Sequence, residues 1–286
     1  MEAITQSGQQ SAVPICSLII PTKDKLNFLK PCMESVLASD GSDAFEIIIV
    51  DNGSVEVETQ QYLQSLSDLL NVRVLSWNEP FNFSAINNFA AEQCRSNYLC
   101  FLNNDIEIKD PQWLRKLLAV AELDEVGAVG CTLVYPDSSI QHAGIALNEK
   151  TIAQHIGVGE DSDFLAEQGI TLPYAVDAVT AACLIMRKAL FLRMGGFNED
   201  QLTVAFNDVD LCLRLADKGL PILCHPGVTL IHHESVSRQS DDLPANRKRA
   251  LKEYDFMQIR WRIRLTGRSF SSGFPDLIRD AALLNE

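Results

Sequence analysis

The chain has no apolar stretch able to cross a bilayer: its longest runs, such as residues 47–50, fall far short of the ~20 residues a helical span needs. The pattern of a signal peptide is not read at its start either. Residues 1–13 are polar and rich in Gln and Ser, with neither a basic start nor an apolar centre, and read as a disordered leader. Positive charge is scarce: 24 Lys and Arg stand against 38 Asp and Glu, a net charge of −14, which argues against a nucleic-acid partner. None of the eight cysteines (16, 32, 94, 100, 131, 183, 212, 224) makes a C-x-x-C pair, which weakens zinc and redox readings. Most lie in apolar runs, as buried thiols of a reducing compartment do. Together these absences predict a soluble or peripheral protein of the cytoplasm. Residues 21–30 contain no glycine, which disfavours a phosphate loop after the first strand and with it a sugar nucleotidyltransferase.

What is present is an ordinary globular composition, 47% hydrophobic and 22% charged over 286 residues, enough for one large α/β domain or two small ones. Strand and helix signals alternate through the first half. Residues 16–20 read as a strand closed by Pro21, and Leu26, Leu29, Met33, Val36 and Leu37 recur at helical spacing. Residues 45–50, 72–75 and 98–102 read as further strands, with helices over 59–69 and 83–94. This alternation predicts a parallel sheet with helices on its faces. In the second half, 113–123 reads as a helix, 126–134 and 175–186 as strands, and 206–218 as a helix stopped by Gly219 and Pro221. No internal repeat or linker divides the chain. Beyond Arg247 a helix-like tail carries Arg247, Lys248, Arg249, Lys252, Arg260, Arg262, Arg264 and Arg268.

Three of the predicted strands end in polar tips: Thr22 to Asp24, Asp51 to Ser54, and Asn103-Asn104-Asp105. Ligands of open α/β sheets bind beyond the carboxyl ends of the strands, so such tips form a nucleotide crevice. Asp24 and Asp51, acceptor-only when ionised, suit ribose hydroxyls and a base N–H. Asp105 suits a divalent metal that stabilises a departing diphosphate. An imidazole from His232 or His233 would favour Mn²⁺ over Mg²⁺. Asp208 lies near a helix start, where the dipole favours negative charge, and suits a general base for an attacking hydroxyl. One base without a second nucleophile implies direct displacement with inversion. Taken singly, each feature also has an ordinary account: Asp51-Asn52-Gly53 as turn chemistry, Asp208 as a first-turn charge, the basic tail as a solvated face.

The order of the segments decides more than any one of them. Ser17–Asp24, Ile49–Ser54 and Phe101–Asp105 are followed by Val179–Cys183, Gly195–Glu199, Phe206–Arg214 and His232–Arg238. The series closely resembles a family 2 glycosyltransferase of the GT-A fold over about residues 14–262. Pro80–Asn88, Gln141-His142-Ala143-Gly144 and the Phe206–Arg214 segment resemble one subgroup, the rhamnosyltransferase-like bacterial enzymes of O-antigen and surface-polysaccharide assembly.

The resemblance implies an α/β GT-A fold: a Rossmann-like, mostly parallel central sheet, helices on both faces, and a small antiparallel acceptor-side subregion. It implies a leader at 1–13, a catalytic domain at 14–246 and a basic helical extension at 247–286. By it, Pro21, Thr22, Asp24, Asp51 and Asn52 line the nucleotide pocket, and Asn87 and Asn104 contact the donor. Asp105 holds the metal with His232 or His233, His232 being preferred for its five-residue spacing to Ser237. Ser237 and Arg238 contact the diphosphate, Asp208 is the catalytic base, and Thr180, Phe206 and Asn207 face the acceptor. The implied cofactors are Mn²⁺ or Mg²⁺ and a UDP- or dTDP-linked sugar donor. The implied partner is a bacterial surface-glycan acceptor, lipid-linked in one version, with the basic tail then resting on the inner membrane surface. Asn103 stands where many relatives carry Asp, so metal binding rests largely on Asp105. Gln258-Ile259-Arg260-Trp261 is one residue short of the Q-x-x-R-W signature of processive synthases, so transfer is expected to be non-processive. A catalytically silent nucleotide-sugar-binding module of a larger assembly is the alternative from another class.

Overall fold

Alternate residues of strand β1 (Cys16–Thr22) point to opposite faces of the sheet and enter two separate cores. Leu18 and Ile20 join one and Ile19 the other, all fully buried. Burial on both faces is why residues 16–20 show an unbroken apolar run instead of alternation. The computed structural model describes residues 13–233 and 244–267. After β1 come α1 (Leu26–Leu37), β2 (Phe45–Asp51), α2 (Val57–Leu66), β3 (Val72–Ser76), α3 (Phe83–Gln93) and β4 (Tyr98–Leu102). β1 pairs in parallel with β2 and with β4, and β2 with β3, as strand–helix alternation predicts.

The chain continues through β5 (Ile106–Ile108), α4 (Trp113–Ala121), β6 (Ala128–Val134), β7 (Ile140–His142), β8 (Ile145–Asn148) and β9 (Ile152–His155). Next are α5 (Phe164–Glu167), β10 (Tyr174–Val176), β11 (Cys183–Arg187), α6 (Lys188–Arg193), α7 (Asn207–Ala216), β12 (Ile222–His232), α8 (Pro244–Arg260) and α9 (Arg262–Leu265). The main sheet runs β10-β12-β6-β11-β4-β1-β2-β3, with β5 added to β12 and β7 to β6, while β8 and β9 form a separate antiparallel pair. The side chains of α1, α2 and α4 fill one core and those of α3, α6 and α7 the other, so helices cover both faces of the sheet. The expected class therefore holds: α/β, a mostly parallel central sheet, and a small antiparallel sheet beside it.

Several local expectations change. β1 does not stop at Pro21 but runs on to Thr22, because Pro21 and Thr22 still pair with Val50 and Asp51 of β2. Its pairing with β4 ends at Ile19, so Pro21 lies where the strand has one neighbour, a position proline tolerates. The single strand expected over 175–186 is two strands in different parts of the sheet: β10 pairs with β12, and β11 with β4 and β6. The connecting residues Ala178, Val179, Ala181 and Ala182 are buried, which is why their composition imitates a strand. The boundary expected between 246 and 247 falls inside α8. Met257, Trp261 and Leu265 are buried in the core that also holds α7, so this part of the tail belongs to the domain. All eight cysteines are buried and unbridged, as their apolar settings predict. Among the described residues no helix is long and apolar enough to cross a membrane.

Candidate active site

The ends of β1 and β2 are tied together by their own polar residues. Asp24 and Lys25 both have left-handed backbone, with φ of 52° and 60°, which turns the chain sharply out of β1. Asp24 Oδ1 accepts from the amides of Val55 (2.7 Å) and Glu56 (2.8 Å), while its own amide donates to Ser54 Oγ (2.7 Å). Ser54 in turn donates through its amide (2.9 Å) and hydroxyl (2.6 Å) to Asp51 Oδ1. Asp24 and Asp51 thus each spend one oxygen in holding the loop. Asn52 donates to the carbonyls of Trp77 (3.1 Å) and Glu79 (3.0 Å), and its buried Oδ1 has no partner among the described residues. Asn104 Nδ2 donates to Thr22 Oγ1 (2.9 Å), joining the tip of β4 to that of β1.

Asp105 follows in that tip, 2% exposed, and β12 brings His232 to it by pairing with β5, His232 opposite Ile106. His232 Nε2 lies 3.2 Å from Asp105 Oδ1 and 3.2 Å from Asn103 Nδ2, and its Nδ1 lies 2.6 Å from Gln141 Oε1. Asp105 Oδ1 is buried and receives no hydrogen bond from the described residues. Cations bonded at about 2.1 Å hold neighbouring octahedral ligands ~3 Å apart, so this oxygen and nitrogen have the spacing of a ligand pair. Their mixed chemistry favours Mn²⁺ over Mg²⁺. No group of three or more such ligands occurs among the described residues. The neighbouring Cys32 thiol, pushed up to about 12 by burial and by the Asp105 charge, is no competing ligand.

Asp208 reaches this tip through the main chain. Its Oδ2 accepts from the amide of Ala181 (2.9 Å) and its Oδ1 from that of Val209 (2.8 Å). The next carbonyl, that of Ala182, accepts from the amide of Asn103 (3.0 Å). Two adjacent residues, Ala181 and Ala182, therefore link the Asp208 carboxylate through their main chain to the loop that carries Asp105. Thr180 Oγ1 braces the same turn by accepting from the Ala182 amide (3.3 Å). Phe206 precedes α7 in left-handed backbone, φ 61°, and Asn207 Nδ2 donates to the Val204 carbonyl (3.0 Å).

The loop leading into Asp208 is gripped from both sides. Asn82 caps α3 by accepting from the Ala85 amide (3.0 Å) and also donates to the Glu199 carbonyl (3.0 Å). Asn88 donates to the Phe197 carbonyl (2.9 Å) and accepts from the Phe197 amide (2.9 Å), and a side chain at Gly196 would collide with it. On the other side Glu253 of α8, 2% exposed, accepts from Thr203 Oγ1 (2.8 Å) and from the amides of Val204 (2.9 Å) and Ala205 (3.2 Å). Fully buried Asp210 accepts from Arg214 Nε (2.8 Å), Trp261 Nε1 (3.0 Å) and Arg260 Nε (2.9 Å). Asn82, Asn88 and Asp210 lie in segments that stand out as motifs, but apart from the helical spacing of Asp210 to Arg214 and of Arg249 to Glu253 nothing in the sequence points any of the four positions to these partners.

The structure thus gathers Asn104, Asp105, His232, Thr22 and Asp208 around the end of β4, with Asp24, Asp51 and Asn52 at the neighbouring tips. His233 is not gathered in: its ring lies 3.2 Å from Glu107 and packs on Phe28, on the other side of the strand. Asn87 is fully buried, donates to the Phe83 carbonyl (2.8 Å), and its Oδ1 has no partner among the described residues. Ser237 and Arg238 lie outside the described residues. A cleft of about 550 Å³ lined by Asn88, Met194, Gly196, Asp210 and Arg260 contains none of the predicted residues. A smaller one of about 340 Å³ adjoins Gln141, between Tyr135 and His155.

Comparison with known proteins gives the family and the fold. The chain is 42% identical over 254 residues to the uncharacterized protein y4gI of Sinorhizobium fredii, and 40% identical over 240 residues to the O-antigen biosynthesis protein RfbC of Myxococcus xanthus. These alignments cover 87% and 81% of this chain but 28% and 18% of the two relatives, so the chain spans well under a third of their length. Among solved structures, GalNAc-T7 with UDP, GalNAc and Mn²⁺ superposes with a TM-score of 0.69 at 14% identity, over 88% of this chain and 50% of that one. That likeness shows the GT-A fold. Residues 17–192, well over half of the chain, match the family described as Glycosyl transferase family 2, and the chain belongs to that family.

Proposed function

We propose that this chain carries out inverting, non-processive transfer of a sugar from a nucleoside-diphosphate donor to a glycan acceptor. The observation that carries the reading is the main-chain link from the Asp208 carboxylate through Ala181 and Ala182 to Asn103, which supports reading Asp208 as the base of a site that includes the buried Asp105. The backbone bonds to Ala181 and Val209 hold the carboxylate in one orientation and leave each oxygen a lone pair for an acceptor O–H. Asp208 would take that proton as the acceptor oxygen attacks the anomeric carbon, and the bond to the diphosphate breaks on the opposite side. Asp105 and His232 would hold a divalent cation, which supplies counter-charge to the leaving diphosphate. Asp51, Asp24 and the unpartnered Asn52 Oδ1 stand where the nucleoside would be read, and Asn87, Asn104, Ser237 and Arg238 complete the donor side of this reading. Thr180, Phe206 and Asn207, next to Asp208, form its acceptor side. The catalytic domain, expected over residues 14–246, is read as extending through α8 and α9 to Leu265.

The donor nucleotide is read as UDP or dTDP, with rhamnose the first sugar to test, and the acceptor as a bacterial surface glycan built at the cytoplasmic side. Supporting observations are the RfbC relative and the UDP and Mn²⁺ bound to GalNAc-T7. The described part of the basic tail also exposes Leu251, Ile259 and Ile263 among Lys248, Lys252 and Arg262. This mixture suits peripheral contact with an anionic membrane surface and a lipid-linked acceptor.

The deciding experiment is Asp208→Asn, assayed against a panel of UDP-, dTDP- and GDP-sugars with Mn²⁺. Transfer should fall by about 10²–10⁴ while donor binding persists. Donor binding with no transfer by the unmodified chain would instead identify a silent binding module, and unchanged transfer in the variant would remove Asp208 from the chemistry.

A further inference from the structure

We propose that Gln141 is a positioning residue that fixes the tautomer of His232, so that Nε2 is the nitrogen presented beside Asp105. The inference rests on the metal reading above and extends it to a residue that touches neither cation nor substrate. Gln141 lies in β7, 6% exposed, directly behind the His232 ring. Its amide orientation is not free. Nε2 lies 3.4 Å from the main-chain carbonyl of His232, and a carbonyl only accepts, so the NH₂ group must face it. Oε1 therefore faces His232 Nδ1 at 2.6 Å, and because Oε1 also only accepts, Nδ1 must carry a proton.

A neutral imidazole with its proton on Nδ1 has a lone pair on Nε2. Asn103 agrees from the other side: its Nδ2, a donor, lies 3.2 Å from Nε2. Asp105 Oδ1 lies at the same 3.2 Å and receives no hydrogen bond from the described residues, so its lone pairs and that of Nε2 converge, and only the Nε2 lone pair has a partner, the Asn103 amide. Convergence of this kind is unfavourable unless a cation is shared. The direction of every bond in the series is set in the end by one backbone carbonyl. The inference also gives Asn103 a part: in place of a second carboxylate, its amide occupies the Nε2 lone pair until a cation displaces it. Interactions that set a ligand's tautomer typically change metal affinity by about 10–100-fold.

The test uses the full chain, free of metal, with ¹⁵N-labelled histidine, and compares wild type, Gln141→Leu, Gln141→Glu, Asp105→Ala and His232→Ala. Two-bond ¹H–¹⁵N correlations report the His232 tautomer, and electron paramagnetic resonance of added Mn²⁺ reports affinity for the metal alone. The expected result is an Nδ1–H tautomer in wild type and in Gln141→Glu, whose carboxylate also accepts, with Mn²⁺ affinities within a few-fold of each other. Gln141→Leu should lose that tautomer preference and bind Mn²⁺ about 10–100-fold more weakly. The inference is overturned if Gln141→Leu keeps both tautomer and affinity while His232→Ala loses Mn²⁺, an outcome that leaves the metal reading standing. Equal weakening by Leu and Glu would assign the effect to packing and overturn it too. If Asp105→Ala and His232→Ala both bind Mn²⁺ as wild type does, the metal reading fails and takes this inference with it.

Discussion

Replacing Glu253 with Ala removes a buried carboxylate from α8 and leaves three donors of the catalytic loop facing an empty site: Thr203 Oγ1 and the amides of Val204 and Ala205. Arg249, 2.7 Å from the same carboxylate, loses its charge partner as well. Hydrogen bonds to a charged group contribute about 1.5–3 kcal/mol each, but bonds to one shared acceptor do not add. Breaking a buried charge pair by removing one member costs about 3–5 kcal/mol, and that range is the expected destabilisation. For a domain of this size it lowers Tm by roughly 6–20 °C.

Activity should suffer separately. The released segment runs directly into Phe206, whose left-handed backbone aims α7 and Asp208, and a misplacement of about 1 Å at the reacting group costs on the order of 10² in rate. Urea denaturation and transfer kinetics at saturating donor, run on Glu253→Ala and on the isosteric Glu253→Gln, separate the two effects. The Gln variant keeps one acceptor oxygen and should fall between wild type and Ala in both measurements. A loss below about 1 kcal/mol in Glu253→Ala, with kcat unchanged, would refute the idea that α8 holds the catalytic loop.

Two further outcomes are expected. Burial alone would raise the Glu46 carboxyl, but bonds from Ser17 Oγ, the Arg95 amide and the Arg95 guanidinium outweigh it and hold the group below its usual value. Its stabilisation is therefore complete above about pH 4.5 and lost as pH falls through the lowered folded value. Glu46→Gln should thus show a stability deficit at neutral pH that closes in acid, and parallel stability–pH curves would contradict the assignment. For the membrane reading, the full chain should sediment with anionic vesicles at low salt and be released by high salt. Ser at Leu251, Ile259 and Ile263 should abolish the binding, and equal binding to zwitterionic vesicles would count against it.

The sequence exposes the parts of the site that sit where an apolar strand stops. Leu102 is buried and Asp105 follows three residues later, an abrupt change that a parallel sheet produces at its ligand edge. Asp208 and His232 are legible for a similar reason, each at the junction of an element with a loop. Less legible are positions whose role depends on what lies opposite. The break between β10 and β11 is hidden because the connecting loop is as buried as a strand. Gln141 stands out as part of a motif, yet nothing in its own segment indicates that His232, 91 residues later, is its partner. Glu253 and Asp210 look like surface charges on amphipathic helices, and only the docking of α8 against α7 makes them interior. His233 shows the converse. Adjacent to His232 in sequence, it is turned to Glu107 by the alternation of β12.

The link between Asp208 and the Asn103 loop is made of peptide groups, and this has a consequence for how such an enzyme can change. Ala181 and Ala182 contribute an amide, which every residue but proline supplies, and a carbonyl, which every residue supplies, so no particular side-chain chemistry must be preserved there, only smallness, since both are buried. Under the proposed reading, the separation between Asp208 and the Asp105–His232 pair is then inherited with the backbone. Residues lining the approach to Asp208 can be exchanged for new acceptors without realigning the chemistry, so a change of specificity and a loss of catalysis are separable mutational events.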